Sequence, residues 1–259
     1  MLNKNNLSLT LVEFAPEWEN ADHNLNFLSR LLLGTGPTDI IVLPEMFNTG
    51  FSMNSAKIAE CMNGKTVNWM KEFSLNNSKA ICGSIAVFEN YNYFNRFIFV
   101  NNGEICACYD KHHLFSYGGE NRNYSSGSTQ IYFNFKGWKI FPTICYDLRF
   151  PIWNRNTENY DLLLNVASWP DNRIDVWDTL LKARAIENMS YVCGVNRIGT
   201  DFMNLNYSGH SSVVSPTGTL LKLNKINNFL FQQLIEKSEI HLWRNKYKFL
   251  DDRDSFKWI

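Results

Sequence analysis

Residues 39–47 read Asp-Ile-Ile-Val-Leu-Pro-Glu-Met-Phe. The run 40–43 is short, continuous and apolar. It lacks the polar alternation of a sheet face open to water, and so predicts a strand buried on both faces. Pro44 closes the run, and Glu45 sets a carboxylate just past its end. A second run of this kind is Asp161-Leu-Leu-Leu-Asn165. Around these two, other elements fall into place. Residues 7–14 (LSLTLVEF) alternate as a strand does. Residues 19–33 carry Leu25, Leu28 and Leu32 at helical spacing and stop at Gly34-Thr-Gly-Pro37. A helix is predicted over 66–76, with strands over 79–88, 93–100 and 104–109, the last two joined by an Asn102-Gly103 hairpin. A long loop spans 111–128. Strands over 130–135 and 138–144 join across Lys136-Gly137. A short helix starts at Pro151 and a longer one spans 173–190. Strands follow over 191–196 and 210–215, then a Pro216-Thr-Gly218 turn and a last strand. From about residue 227 the pattern is mixed. The alternation predicts an α/β fold with sizeable sheets, in one domain over residues 1–259.

Composition narrows the function classes. Of 259 residues, 45% are hydrophobic and 19% charged, which suits a globular core and not a disordered chain. Lys+Arg and Asp+Glu each number 25, so no global charge attracts nucleic acid or an anionic membrane. The start, MLNKNNLSLTLVEF, lacks the apolar centre of a signal peptide. No stretch approaches the roughly 18 apolar residues of a membrane span. A cytoplasmic protein is expected, with its six cysteines as free thiols.

Three strand ends carry chemistry. Glu45 follows the first buried run. Lys111 follows the strand ending at Tyr109-Asp110. Cys145 follows the strand ending at Ile144. Functional groups in α/β sheets collect beyond the carboxyl ends of strands. A base, a cation and a thiol brought together there are the parts needed for acyl transfer through a thioester.

With these residues in view, the sequence resembles the nitrilase superfamily of carbon–nitrogen hydrolases, from its first strand to Trp258. That family's signature is Glu, Lys and Cys in this order. The strings LPEMFNTGFSM, VNWM, YDKHHLF, CYDLRFPIWNRN, YDLLLNVASWP and ARAIENMSYV look most like its bacterial omega-amidase (2-oxoglutaramate amidase) branch. The resemblance implies a four-layer αββα sandwich and a cofactor-free, metal-free amidohydrolase. It implies Glu45 as general base, Cys145 as nucleophile, and Lys111 with the Tyr146 N–H as oxyanion donors. Glu120, in GGENRNYSSG, matches the family's second carboxylate. The implied substrates are short dicarboxylic acid monoamides such as 2-oxoglutaramate or 2-oxosuccinamate, with water as co-substrate. Their distal carboxylate needs a cation, and Arg pairs with it bidentately. Arg173 is the first candidate, Arg149 the second and Arg197 the third. Phe47, Phe115 and Trp169 are the expected walls of the acyl pocket. The family also implies subunits pairing through an outer helix layer; the helix over 173–190, apolar on several sides, is the candidate contact of a homodimer.

Other readings compete. Arg149 could pair with a nearby acid, and Arg173 with Asp171 or Asp175. Cys106 and Cys108, on one strand face, precede His112-His113, but no second cluster has zinc spacing, so strand packing is expected of them. Cys145 lacks the local sequence of Cys–His proteases. Trp69, Trp153, Trp177 and Trp243 read as core or interface residues. The same three groups would also serve a deaminated-glutathione amidase, an N-carbamoyl amino acid hydrolase or a nitrile hydrolase. A silent binding protein has no need of all three.

Overall fold

The computed structural model describes residues 5–256. Trp258, the far end of the resemblance, and both ends of the expected domain lie outside them. In chain order the strands are β1 (Asn6–Val12), β2 (Ile40–Val42), β3 (Ala80–Glu89), β4 (Asn92–Asn101), β5 (Glu104–Asp110), β6 (Phe133–Phe135), β7 (Trp138–Ile144), β8 (Leu162–Ala167), β9 (Tyr191–Asn196), β10 (Ile198–Thr200), β11 (Asn206–Ser208), β12 (Ser212–Val214), β13 (Asn224–Lys225) and β14 (Leu230–Glu236). The helices are α1 (Ala21–Leu31), α2 (Ser55–Ile58), α3 (Lys65–Asn77), α4 (Pro151–Asn154), α5 (Ile174–Asn188) and α6 (Lys237–Tyr247).

Two mixed sheets dominate. One has the order β13-β14-β1-β2-β3-β4-β5, the other β12-β9-β8-β7-β6, and β10-β11 form a separate ribbon. In the first, β1-β2 and β2-β3 are parallel; in the second, β7-β8 and β8-β9 are. The flanking pairs are antiparallel. The two tight hairpins work as their sequences demand. Asn102-Gly103 has φ of 50° and 79°, and Lys136-Gly137 has 48° and 83°. Two successive positive φ values match the twist of the paired strands.

The sheets stack face to face. Leu7, Leu9 and Leu11 alternate to one face of β1 and join one core with Trp138, Ile140, Leu162 and Leu164 of the other sheet. Phe99 on β4 meets Phe133 and Phe135 on β6, with ring centroids 4.6 and 5.2 Å apart. On the outer face of the first sheet, α1 supplies Leu25 and Leu28, and α3 supplies Val67, Met70 and Phe73. Asn20 caps α1 by accepting the His23 N–H at 3.1 Å. On the outer face of the second sheet lies α5, through Trp177, Leu181 and Ala185. Gly194 on β9 makes this close approach possible: a Cβ there would lie 2.7 Å from Trp177 and Leu181. The four layers, helices, sheet, sheet and helix, form the αββα sandwich that the resemblance implies. Among the described residues, no helix is long and apolar enough to cross a membrane.

Several sequence readings need correction. The strand expected over 130–135 keeps only Phe133–Phe135. A bulge opposite Phe99 and Val100 breaks the alternation of β5. Ala107 faces the inter-sheet core and Cys108 the outer one, while Cys106 is exposed, so the two cysteines do not share a packed face. The mixed tail holds β14, paired with β1 inside the larger sheet, and helix α6. Trp69, Trp153 and Trp177 belong to the cores, whereas Trp243 stacks on Tyr247.

Candidate active site

The three strand ends converge. Glu45 lies just beyond β2, Lys111 directly follows β5 and Cys145 directly follows β7. Both Met46, φ 44°, and Cys145, φ 43°, are left-handed, so the chain turns sharply as it leaves each sheet. Cys145 opens a 3-10 turn, Cys145–Arg149, that folds back under the sheet end. Asp147 holds the turn down. One of its oxygens accepts the Ile144 N–H at 3.0 Å and the Tyr109 hydroxyl at 2.7 Å. The other accepts the His113 N–H at 2.8 Å and lies 2.9 Å from His113 Nδ1. The segment after Lys111 and the turn of Cys145 are thus tied through one buried carboxylate.

Glu45, Lys111 and Glu120 are fully buried and in contact. Lys111 Nζ lies 2.8 Å from Glu45 Oε1, and 3.0 and 2.8 Å from the two oxygens of Glu120. Asn95 Nδ2 donates to Glu45 Oε1 at 2.8 Å and to Glu120 Oε1 at 3.1 Å. The Ser168 N–H donates to Glu45 Oε2 at 2.8 Å, and the Phe115 N–H to Glu120 Oε2 at 2.6 Å. Cys145 Sγ lies 3.9 Å from the Ser168 carbonyl oxygen.

Burial and charge set the protonation states. Burial works against the Lys111 ammonium, but the carboxylates of Glu120 and Glu45 outweigh it and hold the ammonium above its usual range. Burial pushes the Glu120 carboxyl up, against the pull of Lys111. The Cys145 thiol is pushed well up by burial and then by the Glu45 charge, with Lys111 opposing. Burial and the Glu45 charge thus both favour the protonated sulfur.

Lys111 and Cys145 open into a cavity of about 820 Å³. Phe115, Tyr146, Arg149, Trp169 and Arg173, all expected at the site, line it. The Arg149 guanidinium lies 5.0 Å from the centre of the Trp169 ring, and that of Arg173 lies 5.4 Å from the centre of Phe115. Among the described residues neither arginine has a carboxylate partner, so the ion pairs weighed for them do not form. Phe47 is not a wall. It is fully buried on the helix side of the first sheet, where its ring fills the space left by Gly83 and meets Trp69 at 6.1 Å. Arg197 is buried beneath the Tyr207 ring, 4.5 Å from its centre, and does not line the cavity.

Other groups in the site carry little mark in the sequence. Asn95 touches both carboxylates; in the sequence it stands beside Arg96, ahead of the apolar run of β4, where no pattern sets it apart. Phe51, Met53, Trp18, Phe202, Met203 and Tyr207 add an apolar rim. Phe51 and Met53 lie within LPEMFNTGFSM, but Phe202 and Tyr207 come from the β10-β11 ribbon, which carries no periodic signal.

The carbon–nitrogen hydrolase profile matches residues 9–244, and the chain belongs to that family. It is a hydrolase of amide carbon–nitrogen bonds. Over 252 residues it is 37% identical to the omega-amidase YafV of Escherichia coli strain K12, covering 97% of this chain and 98% of that one. It is 36% identical over 188 residues to the 2-oxoglutaramate amidase of Bacillus subtilis strain 168, covering 71% and 72%. The crystal structure of XC1258 from Xanthomonas campestris, a CN-hydrolase superfamily protein with an arsenic adduct in its active site, superposes with a TM-score of 0.93. The two are 35% identical, and the match covers 98% of this chain and 99% of that one.

Proposed function

We propose that the enzyme hydrolyses the terminal amide of short dicarboxylic acid monoamides, 2-oxoglutaramate and 2-oxosuccinamate among them, through a Cys145 thioester. The observation that carries the substrate reading is the pair Arg149 and Arg173, facing the cavity with aromatic rings beside them and no carboxylate partner among the described residues. An unpaired guanidinium in a partly buried cavity suits an anionic end group on the ligand. The similarity to the E. coli and B. subtilis amidases supports the same choice.

The chemistry follows from the protonation states. Because the thiol rests protonated, Glu45 takes its proton as sulfur attacks the amide carbon. The Lys111 ammonium and the Tyr146 N–H stabilise the oxyanion, a role whose loss typically costs about 10²–10³ in rate. Glu45 returns the proton to the departing ammonia. It then activates water, which releases the acid and restores the thiol. Glu120 keeps Lys111 in place. Phe115 and Trp169 wall the acyl chain.

The test is a comparison of substrates. Arg173→Ala raises KM for 2-oxoglutaramate roughly 10- to 100-fold. For a neutral amide of similar length KM stays within about threefold. Equal effects on both remove Arg173 from the acid-binding role, and the same comparison applies to Arg149. Ammonia release that survives Cys145→Ser contradicts the thioester route.

We further read residues 1–259 as one domain working in the cytoplasm as a homodimer, its subunits meeting through α5. Trp177, Leu181 and Ala185 of that helix face the sheet, while Ile186 is 54% exposed. Light scattering that finds only a 30.1 kDa species counts against the dimer.

A further inference from the structure

Glu45 is bound unequally at its two oxygens. Oε1 accepts from Lys111 Nζ and from Asn95 Nδ2, both at 2.8 Å. Oε2 accepts the Ser168 N–H at 2.8 Å. Asn95 sits on β4, where its carbonyl accepts the Lys111 N–H at 2.9 Å, so the two residues are cross-strand neighbours. Its side chain is fully buried, and among the described residues its Oδ1 has no hydrogen-bond partner. Leaving a buried acceptor unpaired costs free energy. Turning the amide over would aim that oxygen at two carboxylates, which is worse. The two carboxylates therefore dictate how Asn95 stands.

We propose that Asn95 is a positioning residue that locks Glu45 Oε1, leaving Oε2 as the atom that takes and returns the Cys145 proton. This rests on the reading of Glu45 as base and takes it to a single oxygen. A carboxylate oxygen offers two lone-pair sites. Lys111 and Asn95 fill both sites of Oε1. The Ser168 N–H fills one site of Oε2, and among the described residues nothing fills the other. The sulfur is tied to the same residue: Cys145 Sγ lies 3.9 Å from the Ser168 carbonyl oxygen, so Ser168 touches both Oε2 and the thiol. In the forward step the S–H bond breaks and its proton goes to Oε2. The S–C bond forms, and the carbonyl π pair moves onto the amide oxygen. On collapse that pair returns, the C–N bond breaks, and the nitrogen leaves as ammonia with the proton from Oε2. Substrate and water are the only reactants. With Oε1 held by two donors, the carboxyl has no need to rotate between accepting the proton and giving it back.

The experiment uses Asn95→Leu, which keeps the branched shape and removes both donors, and Asn95→Ser, which supplies one hydroxyl donor in place of the amide. Each is assayed on 2-oxoglutaramate for kcat and KM separately, beside Glu45→Gln and Cys145→Ser, with thermal unfolding as the check on folding. For Asn95→Leu, kcat falls roughly 10- to 100-fold while KM changes less than about threefold. Asn95→Ser lowers kcat by less, and serves alone should the leucine variant not fold. A folded variant with the wild-type kcat, or one that changes only KM, overturns the assignment. Activity remaining in Glu45→Gln or Cys145→Ser would overturn the base–nucleophile reading itself. Inactive controls beside wild-type-like Asn95 variants overturn the Asn95 role alone.

Discussion

Arg184 on α5 donates twice to the carbonyl oxygen of Leu148, at 3.0 and 2.7 Å. Leu148 belongs to the turn that Cys145 opens. A helix on the outer face of one sheet thereby holds the far end of the turn that carries the sulfur. Glu187 completes the arrangement by accepting from Arg184 Nη1 at 2.9 Å.

Arg184→Met keeps most of the stem and removes both charge-assisted bonds. The expected cost is about 3 kcal/mol of folding stability. The turn also loosens, so kcat falls more than KM rises. Urea denaturation and steady-state rates measure both. A stability change under about 0.5 kcal/mol leaves the Leu148 contact without a structural role.

The Cys145 thiol makes stability depend on alkaline pH. Its folded-state value lies well above the ordinary 9.0, first through burial and then through the Glu45 charge. Above pH 9.0 the unfolded thiol loses its proton and the folded one keeps it. The native state then binds more protons, so stability falls as pH rises, by about 1.4 kcal/mol per pH unit for one such thiol. Cys145→Ala removes this contribution. Its urea midpoint declines less than that of the wild type between about pH 8 and about pH 10. Parallel declines in the two proteins would show that the folded thiol ionises as freely as the unfolded one.

Gly194→Ala brings a methyl group within 2.7 Å of Leu181 and Trp177. Overpacking of this kind costs about 1–3 kcal/mol. Leu181→Ala alone leaves a hole and costs about 2–5 kcal/mol. The double variant loses less than the two combined, because the new methyl enters the space the leucine vacates. Strict additivity in denaturation experiments would show that α5 does not press on β9 at this point.

The parts of the site that were legible from sequence share one property: each side chain follows a strand with a clear apolar pattern. Glu45, Lys111 and Cys145 could be placed because a strand delivers the next residue to a known edge. Phe47 failed for the same reason in reverse. Met46 is left-handed, so the chain turns between the carboxylate and the ring, and Phe47 faces Gly83 on the other side. The Ser168 contact to Glu45 is a backbone N–H, which no side-chain pattern reveals. Asn95 owes its role to the Lys111 opposite it, a fact of strand register. Strand β14 was obscured because Leu-Phe-Gln-Gln-Leu-Ile-Glu does not alternate cleanly, and its partner β1 stands at the opposite end of the chain.

The left-handed backbone at Cys145 also narrows which side chains fit there. At a φ of 43° a β-branched residue clashes with its own main chain. Threonine is a competent nucleophile in other hydrolases, yet at this position it is barred before its chemistry is ever tested. A library saturating this codon should recover folded protein from unbranched replacements such as serine, alanine, glycine or asparagine, and little from valine, isoleucine or threonine.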